Sequence, residues 1–122
     1  MKEKNITVLV VEPGKEPYEK EIENKLESFQ ELVDGWIQAV YAFDDPVILV
    51  CNDEGKIDGK CKPNRHVVTN VLNDIIFGTF FIVGDGNEDF CSLKSEYVEK
   101  YKRIFKIDPF VIINVQGGKE DE

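Results

Sequence analysis

The chain has 122 residues, 42% of them hydrophobic, with 24 Asp and Glu against 15 Lys and Arg and a formal net charge of −9. That is the length of one ordinary domain with enough apolar residues for a core, which excludes a disordered chain. The acidic balance, with a pI of about 4.6, argues against direct, sequence-independent binding of nucleic acid and against docking on an anionic membrane, since both need clustered Lys and Arg.

Ile6-Thr7-Val8-Leu9-Val10-Val11 is a continuous, mostly β-branched run and predicts a strand buried on both faces. Glu12-Pro13-Gly14-Lys15 reads as a turn, with Pro presetting φ and Gly taking a positive-φ position. Tyr18 to Ile22 alternates charged and larger residues and predicts an exposed second strand, paired with the first as a hairpin. Asn24 then opens a helix as its N-cap, with Glu27 three residues later as in a capping box. Leu26, Phe29 and Val33, widened by Leu32, form its apolar stripe, and Gly35 closes it at C′. Its outward face is Glu27, Glu31 and Asp34.

Trp36 to Phe43 alternates and predicts a strand, broken by Asp44-Asp45-Pro46. Val47 to Cys51 predicts an apolar strand, and Asn52-Asp53-Glu54-Gly55 a turn. Lys56 to Asn73 has the weakest pattern and reads as a loop, with a short helical or extended piece at Val67–Leu72. Ile75 to Val83 has the strongest strand pattern, and Gly78 inside it predicts a bulge or a close approach. Gly84-Asp85-Gly86-Asn87 reads as a turn, and Asp89 to Leu93 as a returning strand.

Ser92 or Ser95 caps a second helix, whose stripe is Val98, Tyr101 and Phe105 with help from Ile104. Lys100, Lys102, Arg103 and Lys106 fill its later turns, where cations suit the macrodipole. Phe110 to Val115 predicts a last edge strand. Strands outnumber helices, and hairpin-length connections dominate. The expected fold is therefore α+β: an antiparallel or mixed β-sheet with two amphipathic helices packed on it. Residues 1–115 are expected to form this single domain, and residues 116–122 a polar flexible tail.

Charge is distributed unevenly along these elements. Residues 12–54 hold twelve Asp and Glu against three Lys, and Lys56 to Arg65 then holds four basic residues against Asp58. Such a field selects partners and speeds their approach. The acidic half suits a basic partner through Glu27, Glu31 and Asp34. Lys60, Lys62, Asn64, Arg65 and His66 make a second candidate site, in which cations, an amide and an imidazole would hold an anionic ligand. The competing explanations are plain solubility for the acids and local charge compensation for the basic loop.

Chemistry-bearing motifs are weak. His66 is the single histidine, and neither a nucleophile elbow nor a metal-ligand spacing accompanies it. Asp85, Asn87, Asp89 and Glu96 stand at positions 1, 3, 5 and 12 of a calcium-loop template, yet Phe90 occupies the position that needs Gly. A hairpin turn is the expectation there. Gly78-Thr79 and Gly84-Asp85-Gly86 match neither a P-loop nor a dinucleotide fingerprint. No catalytic residue, metal or cofactor is expected. Cys51, Cys61 and Cys91 fit neither a disulfide framework nor a zinc ribbon and point to a reducing cytoplasm. No apolar stretch approaches the roughly 20 residues of a membrane span, and the N-terminus reads as a first strand rather than a signal peptide.

Several segments together carry a resemblance. They are Leu9-Val10-Val11-Glu12-Pro13-Gly14-Lys15-Glu16-Pro17, Glu31-Leu32-Val33-Asp34-Gly35-Trp36-Ile37, Asn52-Asp53-Glu54-Gly55-Lys56 and Pro63-Asn64-Arg65. Ile76-Phe77-Gly78-Thr79-Phe80-Phe81-Ile82-Val83-Gly84 and Asp89-Phe90-Cys91-Ser92-Leu93 complete the set. Over residues 6–105 the chain resembles a family of small proteins from phages, plasmids and integrated elements of Firmicutes, known only as a domain of unknown function. The resemblance implies a mobile-element accessory protein, a class that includes anti-restriction and other anti-defence factors, and supplies no catalytic residues. The expected function is thus a non-enzymatic anti-defence or host-takeover factor. It would bind a bacterial host protein, such as a defence-system component, through its acidic surface in the host cytoplasm. The alternative is a small-ligand binder that sequesters an anionic nucleotide-type signal through the Lys56–Arg65 loop.

Overall fold

The computed structural model describes residues 3–55, 61–107 and 113–114. In chain order the elements are β1 (Asn5–Val11), β2 (Tyr18–Glu23), α1 (Leu26–Val33), β3 (Ile37–Val40), β4 (Val47–Asn52) and β5 (Pro63–Val68). They continue with β6 (Asn73–Phe77), β7 (Phe80–Asp85), β8 (Phe90–Cys91), α2 (Ser95–Ile104) and β9 (Ile113–Asn114). The fold is α+β, as expected.

The main sheet is antiparallel, in the order β2-β1-β7-β4-β3, with β8 pairing the end of β7. A small mixed sheet has the order β6-β5-β9, with β5 and β9 parallel. The three central strands β1, β7 and β4 carry unbroken apolar runs because both faces of the main sheet are covered. Val8, Val10, Ile48, Val50, Phe81 and Val83 pack beneath Phe29 and Val33 of α1. Leu9, Val11, Leu49, Phe80 and Ile82 pack on the other face, with Tyr101, Phe105 and the small sheet's Val67 and Ile76. Each such side chain contributes roughly 1.5–3 kcal/mol by leaving water.

Long-range contacts override several local readings. Lys56 to Asn73 is not a loop throughout, because Pro63–Val68 forms β5. Its period of two is hidden, since one of its inward residues is the buried Arg65 beside Val67. Ile75 to Val83 is two strands in different sheets. Gly78 separates them at φ +80, and a Cβ there would meet the Cys61 Sγ at 3.0 Å. Asn24 does not cap α1: Lys25 is the N-cap, without a side-chain bond. The Asn24 Nδ2 donates instead to the carbonyls of Glu3 and Phe90, at 3.0 and 3.2 Å. Neither serine caps α2, whose N-cap is Lys94, and the Ser92 Oγ accepts the Thr7 N–H at 3.0 Å. The left-handed residue ending α1 is Asp34, at φ 59, one position before Gly35. The strands expected over Trp36–Phe43 and Asp89–Leu93 shrink to Ile37–Val40 and Phe90–Cys91. Of Phe110–Val115, only Ile113 and Asn114 lie within the described residues, as β9.

The second helix is locked to the β3–β4 connection by charge. The Tyr101 hydroxyl and the Lys100 ammonium both donate to Asp45 Oδ2, at 2.7 and 2.5 Å. Burial alone pushes the Asp45 carboxyl up, but the Lys100 and Tyr101 bonds outweigh it and hold the carboxyl below its ordinary 3.8. A depressed folded-state pKa adds stability above the unfolded value, and that stability is lost as pH falls through the folded value. Asp45→Asn is therefore expected to be less stable than the parent at neutral pH and to converge with it as the pH drops below about 4. Thermal melts of both proteins over that acid range test the sign. Parallel curves would show that Asp45 does not carry the dependence.

Candidate functional site

Helix α1 lies on one face of the main sheet and buries Phe29 and Val33. Period 3.6 then sends Glu27, Glu31 and Asp34 outward, and all three are exposed. They line one open concavity of about 580 Å³ together with Glu23, Lys25, Ser28 and Gln30. The structure thus brings the three expected residues together and adds Glu23 from the end of β2. The Lys25 Nζ pairs with Glu23 Oε1 at 3.0 Å. The hydrogen bond that Lys25 donates to Glu23 raises the Lys25 pKa, and the charges of Glu23, Glu27 and Glu31 add to it. Among the described residues, Glu27, Glu31 and Asp34 enter no ion pair.

Glu27, in the first turn, suits the helix dipole, but the other charges work against the helix that carries them. Glu27 and Glu31 are a like-charged i,i+4 pair, which costs roughly 0.2–0.5 kcal/mol. Glu31 and Asp34 sit at the C-terminal end, where the macrodipole favours cations, and the last turn holds no basic residue. An eight-residue helix with acids where its own stability calls for bases is a local violation, and such violations concentrate at functional surfaces.

The end of α1 is clamped from the neighbouring strand. The Asn52 side chain, at the end of β4, is nearly buried. Its Nδ2 donates to the Val33 and Asp34 carbonyls, at 3.0 Å each, and its Oδ1 accepts the Glu54 N–H at 2.7 Å. Gly35 is needed beside it: at φ +154, a Cβ there would lie 2.6 Å from the Asn52 Nδ2. The next residue, Trp36, is 68% exposed, and its carbonyl accepts the Asp53 N–H at 2.8 Å.

The second candidate set is divided by strand alternation. Arg65 points to the core side of β5 and His66 away from it, while Asn64 sits at an irregularity of the β5–β6 register between Pro63 and Arg65. Arg65 donates to the carbonyls of Phe105 and Lys15 and to Asn64 Oδ1. The Asn64 Nδ2 donates to the carbonyls of Val11 and Gly78, at 2.9 Å each. His66 Nε2 bonds Asn73 Oδ1 at 2.7 Å, and Lys62 is exposed. Lys60 lies outside the described residues. The calcium-like segment is a turn in which Asp85 Oδ1 accepts the Asn87 N–H. Among the described residues no three metal-ligating side chains gather, and no helix is long and apolar enough to cross a membrane.

Glu23 and Asn52 were not legible from the sequence here, because their places depend on the β2–α1 turn and on the packing of β4 against the end of α1. No curated protein and no solved structure matches the chain. One family model does, over residues 6–106, and by that match the chain belongs to the family described as Domain of unknown function (DUF3846).

Proposed function

We propose that this protein is a non-enzymatic binding module whose α1 face meets a basic surface of a partner protein. The observation that carries the reading is the gathering of Glu23, Glu27, Glu31 and Asp34 around one concavity, with Lys25 as the single cation among its described lining residues. Exposed charge of one sign steers a partner of the other sign and rejects like-charged competitors. The resemblance to accessory proteins of phages and plasmids supports a bacterial host protein as that partner, with a defence-system component as the candidate and the host cytoplasm as the meeting place. No comparable observation favours the anionic-ligand reading, since Asn64 and Arg65 already serve the protein's own backbone.

The test compares the parent with Glu27→Lys/Glu31→Lys/Asp34→Lys for retention of a host protein at low and high salt. All three side chains are exposed; lysine is less favoured than aspartate at the left-handed position 34, a local cost that the fold is expected to survive. The expected result is a protein held by the parent, released by salt, and bound about a hundredfold more weakly by the charge-reversed variant. Retention that neither salt nor charge reversal alters would overturn the proposal.

A further inference from the structure

We infer that the cleft between the two sheets takes an extended peptide segment of a partner protein, which adds to β6 as a new edge strand. The cleft lies on the face of the main sheet opposite α1, so the inference is independent of the acidic-face reading. It encloses about 310 Å³. Its floor is Gln38 and Val40 of β3 and Cys51 of β4, which the β3–β4 register sets on the face away from α1. Its wall is Asp74, Ile75, Ile76 and Phe77. Four consecutive strand residues cannot all turn their side chains one way, so the wall is the backbone edge of β6.

That edge is free. Within the small sheet β6 pairs with β5 alone. The Thr69 N–H donates to the Leu72 carbonyl, and the same register continues through Val67–Asp74 and Arg65–Ile76. Leu72, Asp74 and Ile76 therefore turn their backbone groups to β5, and Asn73, Ile75 and Phe77 turn theirs outward. Two contacts agree with this. The Ile75 N–H donates to the neighbouring Asp74 Oδ1 at 2.9 Å, and the Phe77 carbonyl faces Gly55, where a Cβ would lie 2.9 Å from its oxygen.

The edge is also unguarded. Edge strands are commonly blunted with charge. The outer strand β2 of the main sheet carries Glu19, Lys20, Glu21 and Glu23, whereas β6 carries Asp74 as its one charge. An open edge is the template for strand addition, in which main-chain bonds give affinity and alternate side chains fill pockets. A strand seated there would lie about 4.8 Å from β6. It would extend the small sheet over the part of the main sheet left uncovered, where Gln38 is exposed and Val40 half-buried. Trp36 belongs to the same face: the register sets it across from Asp53, whose N–H donates to its carbonyl.

The lining defines the occupant. Val40, Cys51, Leu72 and Ile76 suit apolar side chains at alternate positions. Asp53 lines the cleft and is exposed, and its described lining residues include no Lys or Arg. A basic residue in the segment would meet Asp53, and an acidic segment would be repelled. A second copy of this chain would bring its own charge of −9. The occupant that fits is a β-prone segment of another protein with apolar residues at every second position and a flanking Lys or Arg.

The experiment titrates the capped peptide Lys-Val-Thr-Val-Thr-Val-Lys into the protein and follows binding by calorimetry and by the emission of Trp36, the single tryptophan. Binding with a blue shift of that emission is expected. Two further peptides carry N-methyl groups on either the Val or the Thr amides. One set of amides faces β6 and the other faces away, so one methylated peptide is expected to bind at least tenfold more weakly and the other like the parent peptide. Ile75→Pro removes an outward N–H without touching the bonds to β5, and it is expected to weaken binding at least tenfold. The methylated pair is read on the unaltered protein, so the outcome does not depend on a variant folding. No binding, equal binding of the two methylated peptides, or equal binding when both Lys are replaced by Glu would overturn the inference.

Discussion

Arg65→Ala is expected to lower the unfolding free energy by about 3 kcal/mol, although it removes no apolar core residue. The guanidinium is buried on the inner side of β5. Its Nε and Nη2 both donate to the Phe105 carbonyl, at 3.0 and 2.7 Å, and Nη2 also reaches the Lys15 carbonyl at 2.9 Å. Nη1 donates to Asn64 Oδ1 at 2.7 Å. Phe105 is the C-cap of α2, so the acceptor is one of the carbonyls a helix leaves unpaired at its negative end. One side chain thus ties α2, the β1–β2 turn and β5 together. Burial pushes its pKa down, the Glu16 charge opposes that, and the group stays protonated throughout the accessible range. Alanine would strand the Phe105 carbonyl and release Asn64. Lysine keeps the charge but not the planar fork, so Arg65→Lys is expected to recover less than half of the loss. Urea titrations read both as a lower midpoint with an unchanged slope. A loss below about 1 kcal/mol would mean that the guanidinium is not a structural pin, and it would return Arg65 to the pool of side chains able to hold an anion.

Arg65 also shows where sequence reading stops. The apolar runs of β1, β4 and β7 and most of both helix stripes were legible because burial writes directly into residue type: Phe29, Val33, Val98, Tyr101 and Phe105 are all buried, whereas Leu26, expected in the α1 stripe, is exposed. Strand β5 was not legible, since one of its inward positions is a cation whose partners are 40 and 50 residues away. The break between β6 and β7 hinges on Gly78, and a glycine inside an apolar run looks the same whether it bulges a strand or ends one. Asn24 and Ser92 carry cap chemistry, but their side chains found tertiary partners instead. In the site, Glu27, Glu31 and Asp34 followed from helical period alone. Trp36 was read as a strand residue. Its exposure follows from β3 starting one residue later and from a clamp sixteen residues on in the sequence.

That clamp sets the second large effect. Asn52→Asp is expected to cost about 3 kcal/mol, and Asn52→Ala about 2 kcal/mol, so the near-isosteric change is the worse one. Aspartate fills the same space and keeps an acceptor for the Glu54 N–H. It loses both donors and sets a carboxylate oxygen where the amide stood 3.0 Å from the Val33 and Asp34 carbonyls. Those carbonyls are the negative end of α1, and the position is only 9% exposed, so water screens little of the repulsion. Alanine leaves the carbonyls unpaired but creates no repulsion. Urea midpoints give the ranking, and Trp36 emission gives the location, since the ring sits directly beyond the clamped residues. Equal stability of Asn52→Asp and the parent would mean that the two amide bonds do not hold the end of α1. The rigid mounting of Trp36 would then have to come from Gly35 and the Asp53 bond alone.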